Sequence, residues 1–93
     1  MASGVKRLSK NVVVVNDLGL HARVAAKIAE LAKQAQFPVW IIKDGQSVDA
    51  TGILDILTLE CPKQTELTIK IDDSIDIDTL NAIVALIETG CKE

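Results

Sequence analysis

A short apolar run, a two-residue turn and a second short run constrain the middle of this chain to a β-hairpin. Residues 39–42 read Val-Trp-Ile-Ile, Asp44-Gly45 follows, and residues 47–50 return as Ser-Val-Asp-Ala. Asp-Gly between two such runs favours the tight turn that joins antiparallel strands. An antiparallel sheet is therefore the expected centre of the fold.

The segments on either side of this hairpin alternate between strand and helix patterns. Residues 12–15 and 67–71 have the β-branched or alternating apolar side chains of strands. Apolar residues at helical spacing predict three helices, over residues 22–36 and 53–59 and from about residue 76 until Gly90 stops the last one. Asp76 is a candidate N-cap for the last helix. The order β-α-β-β-α-β-α predicts an α+β fold, an open-faced sandwich with a four-stranded antiparallel sheet covered on one face by three helices.

The composition limits the chain to few function classes. With 93 residues there is room for a single domain over residues 1–93, in which residues 1–7 are expected to form a loose N-terminal extension. The chain has one Phe, one Trp, no Tyr and a net charge of -3. Nucleic-acid binding uses stacking aromatic side chains and clustered Lys and Arg, so we expect no nucleic-acid partner.

The lengths of the apolar runs indicate where the protein is located in the cell, and the spacing of the cysteines indicates whether it binds a metal. No apolar run approaches the roughly 18 residues that a membrane span needs, and the first residues lack the apolar centre of a signal peptide. We therefore expect a cytoplasmic protein without a membrane partner. Cys61 and Cys91 are far apart and follow no metal-ligand or CxxC spacing, so we expect two reduced thiols, no metal site and no cofactor.

His21, the only histidine of the chain, stands at the start of the first predicted helix, in Gly-Leu-His-Ala-Arg at residues 19–23. The amide groups at a helix N-terminus favour an anion, and imidazole is a competent phosphoryl acceptor. Arg23 places a positive charge near the helix N-terminus, which mildly disfavours cations. An arginine at this position therefore suggests that an anion binds beside it. The motif predicts phosphohistidine at His21. The alternative is a helix-capping or exposed histidine without chemistry.

The motif at 19–23 and the order of the predicted segments together resemble those of a known protein family. Ala25-Ala26 follows the motif, the hairpin ends in Val48-Asp49-Ala50, and the short apolar helix comes next. From about Val12 to the end of the last helix, the chain resembles the HPr family, the small phosphocarriers of the bacterial phosphotransferase system, including their nitrogen-branch relatives. The resemblance implies one HPr-like domain, a monomer that is a phosphoryl carrier and not an enzyme.

The resemblance also implies the partners and the site. Enzyme I, charged from phosphoenolpyruvate, phosphorylates His21 on Nδ1, and the carrier passes the phosphoryl group to an EIIA-type acceptor protein. By position, Arg23 accompanies the phosphate and Asn16 matches a polar position near the site. The backbone amides of Ala22 and Arg23 are expected to receive phosphate oxygens as well.

The short helix is the expected docking surface for these partners. The resemblance assigns partner docking to Ile53, Leu54 and Leu57. One turn of helix cannot bury all of its apolar residues, so we predict that Leu54 and Leu57 are the more exposed ones. Ile53, Ile56 and Leu59 are predicted to be the more buried ones.

Four positions depart from the family pattern. Val24 stands where HPr proteins commonly have proline, a structurally mild change. Gly52 stands where HPr of low-GC Gram-positive bacteria has a serine that a regulatory kinase phosphorylates, so no regulatory serine is expected here. Asp55 stands where the family usually has glycine or lysine, and Glu30 where some members have lysine. The resemblance implies that a positive carrier surface docks on acidic partner surfaces, so these two acidic residues are expected to slow encounter or select another partner. The sugar and nitrogen branches are therefore equally open.

Two other function classes stay open at this point. One is an HPr-like regulatory module whose main role is docking on a target protein. The other is an unrelated small α+β domain that binds a metal or a nucleic acid. The second is the weaker alternative, because the chain has one histidine, two unpaired cysteines and a negative net charge.

Overall fold

The computed structural model describes residues 8–90, so the predicted extension over residues 1–7 and the predicted thiol at Cys91 lie outside the described residues. Within that range the elements follow the predicted order. They are β1 (Ser9–Val13), α1 (Ala22–Ala32), β2 (Val39–Lys43), β3 (Gln46–Asp49), α2 (Ile53–Thr58), β4 (Glu66–Ile71) and α3 (Ile77–Glu88), with a 3₁₀ turn at Ser74–Asp76 directly before α3.

The four strands form one sheet in the order β1-β4-β2-β3, and each neighbouring pair is antiparallel. The β2–β3 hairpin turns at Asp44-Gly45, where φ is 50° and 81°, as a type I′ turn requires. On one face of the sheet α1 packs against α2 and α3, and α3 contacts β1 and β4. The predicted open-faced sandwich is confirmed. In the described part of the chain, no helix is both long and apolar enough to cross a bilayer.

Strand periodicity divides the valines after Asn11 between two environments. Val12 and Val14 are buried in the core, whereas Val13 and Val15 are exposed on the open face of the sheet. The core between sheet and helices is aliphatic, and its largest fully buried side chains include Ile28, Ile41, Ile56, Ile69, Ile83 and Ile87. Because the strands bury one face only, one layer of helices completes the fold.

The first strand begins three residues earlier than its apolar pattern predicts. Residues 9–11 are polar and exposed, yet they pair with residues 68–70 of β4. Backbone groups make this pairing, so it does not depend on apolar side chains. The Thr68 hydroxyl also donates to Asn11 Oδ1 across the two strands at 2.9 Å. The ends of the other strands lie within one residue of the predicted positions.

Helix α1 ends at Ala32, four residues before the predicted end at Gln36. The amides of residues 34–35 donate to carbonyls three residues back, so the chain tightens beyond the helix. The amides of Gln36 and Phe37 then donate to the two carboxylate oxygens of Asp76, at 2.8 and 2.9 Å. An acceptor 40 residues away thus holds this end of the chain, and the local apolar pattern could not indicate it.

Asp76 has a different role from the one predicted. Helix α3 does begin at the next residue, but the Asp76 side chain makes no capping hydrogen bond to it. Asp73 accepts instead, from the Ile75 amide at 2.9 Å, at the start of the 3₁₀ turn. Asp76 is 4% exposed, so its carboxylate is a buried acceptor that ties the α1–β2 connection to the start of α3.

Replacing Asp76 with alanine is expected to lower the free energy of unfolding by about 2 kcal/mol, because two amides lose a charged acceptor. Urea denaturation followed by circular dichroism measures the loss. Asp78→Ala removes an exposed carboxylate from the first turn of α3 and is the matched control. It should cost less than about 1 kcal/mol, and equal losses in the two variants would contradict the role of Asp76.

Candidate functional site

His21 is the N-cap residue of α1. Its backbone is extended (φ -80°, ψ 179°) and its side chain makes no capping hydrogen bond. The amide of Ala25 donates to the His21 carbonyl at 2.9 Å, which closes the first turn. The amides of residues 22–24 lie before Ala25 in the first turn, and amides in this position have no acceptor within their own helix. The half-buried imidazole therefore lies at a helix end that favours an anion.

Hydrogen bonds fix the loop that leads to His21. Asn16 Nδ2 donates to the Gly19 carbonyl at 2.7 Å, and the Gly19 amide donates to the Asn16 carbonyl at 3.1 Å. The next amide, that of Leu20, donates to the Cys61 carbonyl at 2.9 Å. Asn16 thus organises the loop, and its contact with a phosphate stays a prediction. The Leu20 bond attaches the loop to the connection between α2 and β4.

Gly19 lies so close to that connection that a larger residue does not fit. Its φ is 66°, and a Cβ would lie 2.3 Å from the Cys61 carbonyl oxygen and 2.8 Å from Pro62 Cα. Both are backbone atoms, which cannot move aside without displacing the chain. The glycine therefore allows the His21 loop to approach the end of α2.

Polar contacts at both ends hold α2 in place. Before the helix, the amide and hydroxyl of Thr51 donate to Asp49 Oδ1 at 2.9 and 2.7 Å. After the helix, the Lys43 ammonium donates to the carbonyls of Leu59 and Glu60 at 2.8 and 2.6 Å. A cation at a helix C-terminus is favourable. Residues of β2 and β3 therefore anchor both ends of α2.

The exposed side chains of α2 differ in part from those predicted. Leu54 is 76% exposed, Ile53 is 38% exposed, and Leu57 is half-buried against the core. The prediction is right for Leu54 and for the buried Ile56 and Leu59. It is wrong in placing Ile53 inside and Leu57 among the more exposed side chains. Spacing gives the direction of a side chain around the helix axis, but it does not say where the core ends along that axis.

Leu18 is an apolar residue of the site that the sequence reasoning missed. It is 77% exposed, and its position between Asp17 and Gly19 in a polar loop is the only local signal. Leu18 lies on a shallow groove between the His21 loop and the end of α2. We call this the His-loop groove, and its lining residues are Leu18, Leu20, Leu57, Glu60, Cys61 and Pro62.

Charges of both signs flank the site. Arg23 is exposed in the first turn of α1, and the α2 side carries Asp55 and Glu60, both exposed. The Asp55 carboxylate folds back toward the start of its helix, so that a Cβ at Gly52 would lie 2.7 Å from Asp55 Oδ2. The space that a serine would need at position 52 is thus partly filled by Asp55.

Val24 and Glu30, the other two positions expected to depart from the family pattern, have different environments. Val24 is 1% exposed, so its side chain belongs to the core although it lies in the first turn of α1. Glu30 is exposed on α1, where its carboxylate meets solvent. The valine therefore contributes to stability, whereas the glutamate is available to a partner.

Cys61 connects the groove to the core through a buried thiol. Burial raises the pKa of this thiol from its ordinary value of 9.0, and the nearby Lys43 charge opposes the shift to a lesser extent. The thiol stays protonated in the folded protein at a pH where it ionises in the unfolded chain. Its contribution to stability is therefore complete below pH 9.0 and is lost as the pH rises further. Between residues 8 and 90, no three His, Cys, Asp or Glu side chains group as a metal ion requires.

Alkylation of Cys61 by iodoacetamide at about pH 8 is expected to be at least about tenfold slower in the folded protein than in urea, because the thiolate is the reacting species and burial disfavours it. The Cys91→Ser variant isolates the signal of Cys61, and mass spectrometry measures the modified fraction. Equal rates in the folded and unfolded protein would contradict a buried, protonated thiol.

Three comparisons with known proteins agree on what this chain is similar to. A family model described as "PTS HPr component phosphorylation site" matches residues 8–89. The chain is 29% identical to phosphocarrier protein HPr of Neisseria meningitidis serogroup A, over 86% of this chain and 90% of that protein. It is 34% identical to phosphocarrier protein NPr of Shewanella violacea, over 94% of this chain and 96% of that protein. The crystal structure of HPr-C-His from Thermoanaerobacter tengcongensis has a TM-score of 0.84 and 27% identity, covering 91% of this chain and 96% of that one.

Proposed function

Because the chain belongs to the HPr family of phosphocarriers of the phosphotransferase system, we propose that His21 accepts a phosphoryl group from Enzyme I and passes it to an EIIA-type protein. The observation that carries this proposal is the position of His21 at the N-terminus of α1, with an imidazole that takes no part in capping the helix. That position combines a nucleophile with a helix end that favours phosphate.

In the proposed transfer, the Nδ1 lone pair of neutral His21 attacks the phosphorus atom of the phosphoryl group on Enzyme I. The phosphorus–nitrogen bond to His21 forms while the bond to Enzyme I breaks, and the electron pair of the broken bond returns to Enzyme I. The amides of Ala22 and Arg23 and the Arg23 guanidinium receive the phosphate oxygens. The same step, with His21 as leaving group, transfers the phosphoryl group to the EIIA-type acceptor.

In this scheme the protein is a covalently modified intermediate, not a catalyst. Its relatives carry the name phosphocarrier, which fits that role. Arg23 holds a group that must leave again, so it tunes the transfer and does not create it. The scheme requires no cofactor on the carrier.

Docking of both partners is assigned to the exposed side of α2, with Ile53 and Leu54 as the main apolar contacts and Leu57 at the base of the groove. Leu54 is 76% exposed, so a partner that covers it gains about 2 kcal/mol from the apolar area removed from water. In this proposal Asn16 acts indirectly, because its side chain holds the loop that positions His21.

Incubation of the purified protein with Enzyme I and radiolabelled phosphoenolpyruvate tests the proposal. We expect an equimolar label that is labile in acid and stable in alkali, as a phosphorus–nitrogen bond is. Addition of an EIIA-type protein of the sugar or the nitrogen branch should remove the label, and the more effective acceptor identifies the branch. An unlabelled protein would overturn the proposal. A label that no EIIA-type protein removes would favour the docking module instead.

A further inference from the structure

Glu60 contributes the only charged side chain among the residues that line the His-loop groove. The side chain is exposed, and no ion pair involves it within residues 8–90. Lys63, three residues along the chain, pairs with Asp17 at 2.9 Å, and Lys43 donates to the backbone carbonyl of Glu60 at 2.6 Å and forms no ion pair with its carboxylate. An apolar groove therefore carries one carboxylate that forms no ion pair within residues 8–90.

The backbone at Glu60 makes this side chain costly to keep. Its φ is 54°, in the left-handed region that favours glycine and is unfavourable for other residues. Asp44 also has a positive φ, but the type I′ turn requires it there. A glycine at position 60 would remove the strain, yet the chain has a glutamate. Gln64 is a third such residue, but of the three only Glu60 lines the groove beside the candidate site, so its side chain is the one for which a function is inferred.

The segment that leads to Glu60 along the chain carries charge of one sign. Residues 51–60, which comprise α2 and its flanks, contain two acidic residues and no lysine or arginine. The second carboxylate is that of Asp55, exposed on the same short helix. A partner that covers this side of the site therefore meets negative charge next to exposed leucine side chains.

We infer that Glu60 determines partner specificity: the His-loop groove accepts an apolar side chain of a partner protein that presents a lysine or arginine to the Glu60 carboxylate. The inference rests on the proposed function, because the partner is Enzyme I, which phosphorylates His21 in that proposal. Leu18 and Leu20 line the groove and belong to the loop that ends at His21, so an occupant of the groove lies beside the imidazole. Opposite charges across such an interface speed encounter and exclude partners with an acidic surface.

The test is the rate of phosphoryl transfer from the cognate Enzyme I to the carrier, measured as kcat/KM at about 50 and about 300 mM NaCl. At low salt we expect Glu60→Gln to lower kcat/KM about fivefold and Glu60→Lys about twentyfold or more, and both deficits to shrink at high salt. Glu66→Gln removes an exposed carboxylate on the open face of the sheet and is the matched control. It should stay within about twofold of wild type.

Two glycine variants separate the charge from the backbone strain. Gln64 also has a positive φ, of 80°, but it does not line the groove. Glu60→Gly and Gln64→Gly should both raise the melting temperature by about 3 °C, because both relieve strain. Only Glu60→Gly should slow transfer.

The outcomes distinguish this inference from the proposed function. Suppose that wild type is labelled and that Glu60→Gln accepts the phosphoryl group at the wild-type rate at low salt. This result would overturn the role of Glu60 and would leave the proposed carrier function intact. An equal loss in Glu60→Gln and Glu66→Gln would also overturn it, because net charge alone would then explain the effect. If wild type accepts no phosphoryl group, both the role of Glu60 and the proposed carrier function are overturned.

Discussion

Replacement of His21 with alanine is expected to lower phosphoryl labelling by Enzyme I and phosphoenolpyruvate at least about a thousandfold, because the variant lacks the nucleophile. The chain has no other histidine, so no second imidazole can take its place. The fold should persist, with a loss of less than about 1 kcal/mol, because the His21 side chain does not cap α1. Acid-labile label per mole of protein is the measurement, with circular dichroism as the check on folding.

Arg23→Ala is the control for this experiment, because it changes the charge beside His21 and retains the nucleophile. It should slow transfer about tenfold and still reach full labelling, as expected from the loss of a charge-assisted contact to the phosphate. Undiminished labelling of His21→Ala would contradict the assignment of His21. A complete loss of label in Arg23→Ala would show that Arg23 is required and does not only tune the transfer.

Gly19→Ala is expected to lower the free energy of unfolding by about 3 to 5 kcal/mol, a large part of the stability of a small domain. Two costs add at this position. The positive φ of 66° is unfavourable for alanine, and the new Cβ would lie 2.3 Å from the Cys61 carbonyl oxygen. Relief requires moving the loop away from Cys61, which breaks the bond from the Leu20 amide. Urea denaturation measures the loss.

Gly45→Ala isolates the first of these costs. Gly45 has a φ of 81°, but a Cβ there meets no atom within 4 Å. This variant should lose only about 1 kcal/mol, the cost of the left-handed backbone alone. The difference between the two variants is the cost of the close approach at Gly19. Equal losses would mean that the His21 loop does not lie against Cys61 as the structure shows.

Where local patterns were enough, the sequence predicted the structure closely. Asp44-Gly45 identified the hairpin because the turn needs only the left-handed backbone of two adjacent residues. The start of α1 at Ala22 followed from the motif at 19–23, which lies within one helical turn. Predictions failed where the deciding partner lay elsewhere, as at the end of α1, which depends on Asp76.

The surface of the site shows the same division. Leu54 was predicted to be exposed and is, but Ile53 was placed inside and lies at the surface. The period of a six-residue helix is too short to show which of its apolar residues the core reaches. Leu18 and Glu60 were missed because neither belongs to a periodic segment. The two residues share a groove only because the fold packs the loop before His21 against the segment after α2.

The chain alone was sufficient to place one histidine at a helix start, to order the strands and helices and to indicate a phosphocarrier family. These properties depend on side chains within one turn or one strand of each other. The packed fold decided which distant groups meet: Asp76 with Gln36 and Phe37, 40 and 39 residues apart, and Lys63 with Asp17, 46 residues apart. The same packing made the groove beside His21, because the Leu20 amide finds its acceptor on Cys61. Spacing along a chain cannot specify such pairs, since hydrogen bonds and van der Waals contacts act only between groups that folding has already brought together.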